Sequence, residues 1–429
     1  MLKKGFWISL FVILLTALGA SAQAAGFLEE KEEYVIVIDP GHGGENVGTI
    51  SNPDFEEKEI TMKTALALVE ELSKYEGVRV LLTHEDDVDL SLKDRAVFAE
   101  KADADFLFSL HYNASEYHTM FGTEVWIPLE APYHALSYQF AYLQQLEMQE
   151  LGLFSRGIKT RRNDQGTDYY GIIRESVARD IPAVIIEHCY VDEARDGSYV
   201  DSDEDFIEFG RRDAIAIAKF LGLEPYEEIP ELKELEQDTM VAHTYEDKTP
   251  PQTVHIEVDK ADYENCLLTV VVNAQEGDTP LMYYDYSIDG GRTYSKLYPW
   301  PDSDMLLNQY DDYFALTFDI PEQTQPEVIL RAYNKFDLYT ESNLLSGLSV
   351  FQMTAEEDAL TEAVSTEKPV TTEKAQPVSG EEANADEASR INTKRFFLLM
   401  AFVILWIILL ASVLYMLYRF FGKGNRHYK

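Results

Sequence analysis

The stretch Tyr34-Val35-Ile36-Val37-Ile38-Asp39-Pro40-Gly41-His42-Gly43-Gly44 decides the fold of the N-terminal half. Its continuous apolar run predicts a buried β-strand, and the glycine-rich segment after it predicts a tight turn. The sequence therefore places His42 at the C-terminal end of a buried strand.

Two further apolar runs end in ionisable residues. Residues 106–110 lead into His111, and residues 181–186 lead into Glu187. In open α/β sheets, ligands bind outside the carboxyl ends of the strands, so residues at independent strand ends are expected to converge there. The pattern predicts an α/β domain with a functional site at this edge.

Glu57 begins a helical pattern over residues 57–75, which brings a carboxylate to the same edge. Alone, a Gly-His-Gly-Gly segment is an ordinary tight turn, and a glutamate at a helix start interacts with the helix dipole. Together, two imidazoles and one carboxylate form the donor set of a catalytic zinc ion, with a fourth position left for water. Glu56 and Glu59 are alternative carboxylate donors by position alone.

At this point the motifs resemble those of the zinc-dependent N-acetylmuramoyl-L-alanine amidases of the type-3 class. The resemblance covers residues 34–222, and its ordered motifs are residues 37–44, 57–60, 90–95, 109–114, 155–159 and 181–187.

This resemblance implies a twisted, mostly parallel sheet with helices on both faces. It also implies a Zn²⁺ ion held by His42, Glu57 and His111, and Glu187 as the catalytic base. The implied substrate is peptidoglycan, cut between N-acetylmuramic acid and L-alanine.

A cationic island at residues 155–162 stands out in a chain with a formal net charge of -40. Guanidinium groups pair well with carboxylates. We therefore expect substrate binding, through stem-peptide carboxylates, from Arg156, Lys159, Arg161 and Arg174. A solvated surface loop is the alternative interpretation.

Cys189 departs from the usual pattern of the family, which has glycine at this point. Strand alternation predicts that its side chain lies on the same side as Glu187, either lining the site or as an inert buried thiol. The second cysteine, Cys266, falls in a different predicted domain, so no structural disulfide is expected.

The two ends of the chain predict its location. Residues 1–25 are typical of a secretory signal peptide, and residues 396–418 are apolar over a length that spans a membrane as a helix. The basic tail 419–429 predicts a cytoplasmic C-terminus. The sequence thus predicts a single-pass membrane protein with an extracellular catalytic domain on the cell wall side.

Three segments connect these parts. Residues 223–249 are expected to form an acidic linker, residues 250–350 an immunoglobulin-like or fibronectin-like β-sandwich, and residues 353–392 a disordered acidic linker. The many tyrosines of the β domain indicate either glycan stacking or simple strand packing in a spacer.

Two other functions fit the same residues. One is a catalytically silent peptidoglycan-binding receptor or regulator, and the other is a zinc peptidase that cuts within the stem peptide. The strong acidity argues against a nucleic-acid partner. An unknown protein activator remains compatible with the sequence.

Overall fold

The computed structural model describes residues 31–50, 55–225 and 243–352. The predicted signal peptide, the second linker, the apolar span and the basic tail lie outside these residues. Within the described part of the chain, no helix combines the length and the apolar character that a membrane crossing needs.

Six strands form one mixed, mostly parallel sheet with the order β2-β1-β3-β6-β4-β5. The strands are β1 (Tyr34–Pro40), β2 (Val78–Leu82), β3 (Phe106–Asn113), β4 (Thr123–Trp126), β5 (Ser155–Lys159) and β6 (Ala183–Tyr190). Only the β4–β6 pairing within this sheet is antiparallel.

Helices cover both faces of this sheet. They are α1 (Glu57–Leu72), α2 (Leu92–Lys101), α3 (Tyr133–Glu150), α4 (Gly171–Val177), α5 (Ala194–Gly197) and α6 (Asp203–Leu221). Successive residues of β1 alternate between two cores, since Ile36 and Ile38 pack with α1, α3 and α6 while Val37 packs with α2 and α4. The α/β fold with helices on both faces is confirmed.

The local sequence accounts for the ends of α6. A capping box joins Ser202 and Asp205 at its start, where each side chain accepts a backbone N–H of the other residue. Gly222 follows the last turn with φ 65°, the left-handed conformation that ends many helices.

The C-terminal part of the described chain is a separate β domain. A four-stranded sheet has the order β10-β9-β12-β13, and a three-stranded sheet has the order β11-β8-β7. Their strands are β7 (Thr253–Asp262), β8 (Leu267–Gln275), β9 (Leu281–Ser287), β10 (Tyr298–Pro299), β11 (Tyr313–Asp319), β12 (Ile329–Asn334) and β13 (Tyr339–Glu341). One core contains residues of both sheets, among them Val270, Leu330 and Trp300. The expected strands are present, and the likeness to immunoglobulin modules stays a prediction.

The α/β domain and the β domain are in direct contact. Tyr283 of β9 stacks near Phe121 and Phe154, with ring centroids 4.6 and 5.2 Å apart, and its hydroxyl donates to the Phe121 carbonyl. The end of the predicted first linker takes part, because the Thr160 N–H donates to the Thr244 carbonyl at 2.7 Å. Residues 243–249 are therefore folded between the two domains.

Candidate metal centre and catalytic site

His42 lies on the turn that follows β1. Its φ is 69°, and Gly43 and Gly44 after it also have positive φ, so the backbone bends sharply where the imidazole is presented. The His42 Nδ1 is 3.0 Å from Asn46 Oδ1, which leaves Nε2 directed at the carboxylate of Glu57. Fixing one ring nitrogen in this way orients the other as a metal donor.

Arg95 holds this turn in place. Its Nη1 donates to Asp39 Oδ1 and to the Pro40 carbonyl, both at 2.7 Å, and its Nη2 donates to the His42 carbonyl at 2.6 Å. The Asp39 carboxylate also accepts from Thr83 and Ser109 at 2.7 and 2.8 Å. Both side chains of the ion pair are buried, so Arg95 acts as a rigid clamp on the segment that carries His42.

Glu57 is the buried carboxylate of the site. Its Oε1 accepts the Tyr112 N–H at 3.0 Å, and its Oε2 accepts the Thr49 N–H at 2.8 Å. Burial by itself raises the pKa of this carboxyl, but the hydrogen bonds and charges of His111 and His42 outweigh burial, so its pKa lies far below the usual value. Neither Glu56 nor Glu59 belongs to this cluster of candidate metal ligands.

The three donors are arranged as one group. His42 Nε2 is 3.1 Å from Glu57 Oε2, and His111 Nδ1 is 3.2 Å from Glu57 Oε1. The donor atoms of the three residues all lie within 4.8 Å of one another. Bonds of about 2.05 Å in a tetrahedral zinc shell place donors about 3.3 Å apart, so the donor set and its spacing fit zinc.

Two glycines make this close packing possible. A Cβ on Gly41 would lie 2.5 Å from His111 Cε1, and a Cβ on Gly48 would lie 2.4 Å from Glu57 Oε2. Because atoms at these separations clash, any larger residue at either position would displace a donor.

Glu187 lies beside this group on the sheet. In the register of the sheet, Glu187 of β6 is opposite His111 of β3 on one side and Glu124 of β4 on the other. Burial is the main reason that its pKa is raised well above the usual value, and the charges of Glu57 and Glu124 raise it further. Its buried Oε2 has no hydrogen-bond partner among the described residues. A carboxyl with a raised pKa beside the candidate metal ligands suits proton transfer.

Glu124 was missed in the sequence, although a glutamate between Thr123 and the apolar pair Val125 and Trp126 of β4 is a visible signal. Its Oε1 accepts from Asn113 Nδ2 at 3.0 Å, and its Oε2 accepts from Arg156 Nε at 2.9 Å and Lys159 Nζ at 2.7 Å. Burial raises the pKa of Glu124, but the charges and hydrogen bonds of Lys159 and Arg156 outweigh burial and hold this pKa far below the usual range. Glu124 therefore supplies a fixed negative charge next to Glu187.

The expected substrate-binding residues have different surroundings. Arg156 and Lys159 are fully buried and bound to Glu124, so the alternative interpretation as a solvated surface loop is wrong for them. Arg161 is partly exposed and stacks on Tyr169, with its guanidinium carbon 4.0 Å from the ring centroid. Arg174 donates to the carbonyls of Asp168 and Tyr169 and braces its own loop. Substrate binding by these four residues stays a prediction.

The expected position of Cys189 is wrong. The β3–β6 register shifts between Glu187 and Tyr190, so simple alternation fails, and Cys189 packs in an apolar cluster with Tyr112 and Phe209. Both cysteines are free thiols and are buried. His188 has a structural role, because its ring lies 2.7 Å from Asp213 Oδ2 in the core.

The fold and the site define an α/β domain with a candidate metal centre of the type that metallohydrolases use. A model of the family described as N-acetylmuramoyl-L-alanine amidase matches residues 36–219. The chain is 30% identical over 189 residues to the N-acetylmuramoyl-L-alanine amidase CwlM of Bacillus licheniformis, covering 44% of this chain and 69% of that protein. It is 34% identical over 164 residues to the sporulation-specific N-acetylmuramoyl-L-alanine amidase of Bacillus subtilis, covering 38% of this chain and 58% of that one.

Among solved structures, the N-acetylmuramoyl-L-alanine amidase from Clostridium difficile 630 shares 27% sequence identity. That match covers 44% of this chain and 98% of the other, with a TM-score of 0.40. The chain belongs to the N-acetylmuramoyl-L-alanine amidase family. It spans between two fifths and about 70% of the length of the first three curated relatives.

Proposed function

We propose that this protein is a zinc-dependent N-acetylmuramoyl-L-alanine amidase of the cell wall. It hydrolyses the amide bond between the lactyl group of N-acetylmuramic acid and the first L-alanine of the peptidoglycan stem. The observation that carries the proposal is the grouping of His42, Glu57 and His111 within 4.8 Å, with Glu187 opposite His111 in the adjacent strand.

His42 Nε2, His111 Nδ1 and the Glu57 carboxylate would hold the zinc ion. When bound there, zinc would supply Lewis-acid chemistry, which would polarise the scissile carbonyl and lower the pKa of water toward about 7. The hydrogen bonds that Glu57 accepts from two backbone N–H groups keep its carboxylate charged and oriented as a donor.

Glu187 supplies the proton transfer. Its carboxylate accepts the proton of the attacking water and then delivers that proton to the departing amine of L-alanine. Burial raises the pKa of Glu187, which makes its carboxylate a stronger base toward the attacking water.

We further propose that the protein is exported through residues 1–25 and anchored by residues 396–418, with the catalytic domain on the cell wall side. The support is the sequence pattern alone. Protease treatment of intact protoplasts should remove the α/β domain and leave a tag fused to the C-terminus protected. Protection of both ends would refute this topology.

The experiment for the reaction is digestion of purified peptidoglycan by the full-length chain. We expect stem peptides with a free N-terminal L-alanine, identified by mass spectrometry, and loss of their release with a zinc chelator. Stems cut internally would support the peptidase, and zinc binding without any product would support the silent receptor.

Variants separate the roles of the glutamates. Glu187→Gln should abolish product release and keep bound zinc, measured by metal analysis. Glu57→Gln should lose zinc, whereas Glu59→Gln, an exposed position on the same helix, should keep both zinc and activity. Activity retained in Glu187→Gln would contradict the mechanism.

A further inference from the structure

A row of charged side chains crosses four strands of the sheet, starting at the candidate metal centre. His111 of β3 is the register partner of Glu187 of β6, and Glu187 is in turn the register partner of Glu124 of β4. Directly opposite residues of antiparallel strands such as β4 and β6 place their Cβ atoms about 4.5–5.5 Å apart on one face. Glu124 then binds Arg156 and Lys159 of β5. The carboxylate proposed for proton transfer is therefore one residue away from two cations.

The β domain extends this row. Arg156 Nη2 donates to Asp337 Oδ2 at 2.7 Å, and its Nη1 donates to the Tyr283 hydroxyl at 3.0 Å. The Asp337 side chain is 32% exposed and reaches inward to Arg156, which is 1% exposed. The family match ends at residue 219, so both partners of Arg156 lie outside the part of the chain that the family shares.

The charges of this row balance only when Asp337 is counted. The side chains of Arg156, Lys159 and Glu124 are 1%, 2% and 5% exposed, so solvent screens their charges little. Two cations and one carboxylate leave one positive charge without a partner, and Asp337 supplies the second carboxylate. A buried ion that loses its partner is strongly destabilising, so an unbalanced cation would pair with the nearest carboxylate within reach.

The other charged groups at this interface stand apart from this balance. Lys335 is buried, and burial lowers the pKa of its amine to about 7. Its Nζ donates to the His243 carbonyl at 3.0 Å, so this amine is satisfied without a carboxylate. Arg161 and Glu246 form a pair at 4.0 Å with side chains 41% and 25% exposed, and water solvates both.

Glu187 is the carboxylate that an unbalanced cation would reach. Its Oε2 is buried and has no hydrogen-bond partner among the described residues. Arg156 and Lys159 both bind Oε2 of Glu124, the residue opposite Glu187 in the adjacent strand. An opposite charge within about 4–6 Å stabilises an ionised carboxylate and lowers its pKa. Glu187 paired with a cation would therefore be a weaker base toward water.

We propose that Asp337 of the β domain is a positioning residue for the reaction, because it binds Arg156, balances the buried charges around Glu124 and so keeps Glu187 from pairing with a cation. The β domain is then part of the reaction centre as well as a neighbouring module. This inference rests on the proposed function for the role of Glu187, whereas the contacts between Asp337 and Arg156 are independent of that function.

Asp337→Asn tests this role, because it removes the charge and keeps an oxygen that accepts from Arg156. The zinc-loaded full-length chain is assayed with a soluble muropeptide at about pH 8, where most of Lys335 is neutral. We expect kcat for stem-peptide release to fall about tenfold or more, since pairing lowers the pKa of a carboxylate by about one unit or more. KM should change less than about twofold, because the metal ligands and the shape of the cleft are retained.

Lys159→Met in the Asp337→Asn background separates charge balance from a structural effect. The double variant has one buried cation, Arg156, and one carboxylate, Glu124, so the balance returns. We expect its kcat to recover to within about threefold of the native value, which is a coupling between the two positions. If Asp337 has a structural role alone, the second change adds to the first and kcat falls further.

Glu246→Gln is the matched control for loss of an acid at the interface. Its partner Arg161 is partly exposed and also stacks on Tyr169, so the loss of Glu246 leaves no buried cation unbalanced. The kcat of this variant should equal the native value. Thermal unfolding of each variant verifies that it is folded.

Crystal structures give a measurement that does not depend on activity. In Asp337→Asn, the head group of Arg156 or of Lys159 should lie within about 3.5 Å of a Glu187 carboxylate oxygen, the limit for a hydrogen bond. In the native chain and in the double variant, neither cation should contact Glu187.

A native kcat in Asp337→Asn, or a double variant that is slower than the single one, would overturn the positioning role. A crystal structure of Asp337→Asn in which Glu187 contacts no cation would overturn it as well. A native chain that releases no stem peptides would refute the proposed function, and the crystal structures would then decide by themselves whether Asp337 governs the contacts of Glu187.

Discussion

Replacement of Arg95 by methionine tests whether the clamp on the His42 turn stabilises the fold and the candidate metal site together. The change keeps an unbranched side chain and removes the guanidinium that binds Asp39 and the carbonyls of Pro40 and His42. Both members of the ion pair are almost fully buried, with 4% and 2% of their side chains exposed. Breaking a buried pair by removal of one partner costs about 3–5 kcal/mol.

We expect the lower end of this range, because Asp39 keeps the hydrogen bonds from Thr83 and Ser109. In a domain of this size, about 3 kcal/mol corresponds to a decrease in melting temperature of about 6–12 °C. Calorimetry of the full-length native and Arg95→Met chains measures this decrease in melting temperature. Zinc affinity should also fall by about 10- to 100-fold, since the residue that orients a metal ligand is lost.

The matched control is Arg79→Met. Arg79 forms an ion pair with Glu33 at 3.4 Å, and both side chains are about half exposed. Such a surface pair contributes at most about 1 kcal/mol to stability. The melting temperature of Arg79→Met should therefore differ little from that of the native protein. If Arg95→Met unfolds at the same temperature as Arg79→Met and binds zinc normally, the clamp has no energetic role.

Three further changes follow from the described contacts. Gly48→Ala should reduce zinc affinity at least tenfold, as measured by competition with a chromogenic chelator, because its Cβ would lie 2.4 Å from Glu57 Oε2. Tyr283→Phe should lower the free energy of unfolding by about 1–3 kcal/mol in urea titrations, because the buried hydroxyl contacts both Phe121 and Arg156. Asp196→Asn should stabilise the protein above pH 6 by up to about 3 kcal/mol, because burial raises the pKa of Asp196 to about 6.

Each of these changes has a control. Gly347 has φ 78°, close to the 75° of Gly48, and open space around it, so Gly347→Ala isolates backbone strain from the clash. Tyr313→Phe alters an exposed tyrosine of the same domain and should have little effect.

For Asp196, the carboxyl of the native protein contributes stability below about pH 4, and this contribution is lost as the pH rises through about 6. In Asp196→Asn, the asparagine does not titrate, so this pH dependence of stability is absent. Asp201→Asn changes an exposed residue and should show the same dependence of stability on pH as the native protein. If the free energy of unfolding depends on pH in the same way in Asp196→Asn and in the native chain, the pKa of Asp196 is not raised.

Local sequence patterns were sufficient for three strands and one helix of the α/β domain, and the family resemblance added the choice of Glu57 for the candidate metal site. Continuous apolar runs identified β1, β3 and β6, and the helical pattern from Glu57 identified α1. Because parallel strands present their carboxyl ends at one edge, His42 and His111 were expected to meet, and the structure brings them together with Glu57.

Other features depend on contacts that no local pattern records. Arg156 binds Asp337, which is 181 positions later in the chain, and Arg95 binds the turn of β1 more than 50 positions earlier. The error over Cys189 has a different cause, since a register shift in β6 interrupts the alternation on which the prediction depended. Irregularities of this kind follow from tertiary packing around the site.

The position of the β domain against β5 has a consequence for self-association. β5 is the last strand of the six-stranded sheet, and a bare edge strand invites pairing with another chain. Here Thr244 accepts the N–H just beyond β5, and a Cβ on Gly157 within β5 would lie 2.8 Å from Lys335 of the β domain. The β domain therefore covers an edge that would otherwise be open, and a fragment that ends at residue 225 should aggregate where the longer chain stays monodisperse.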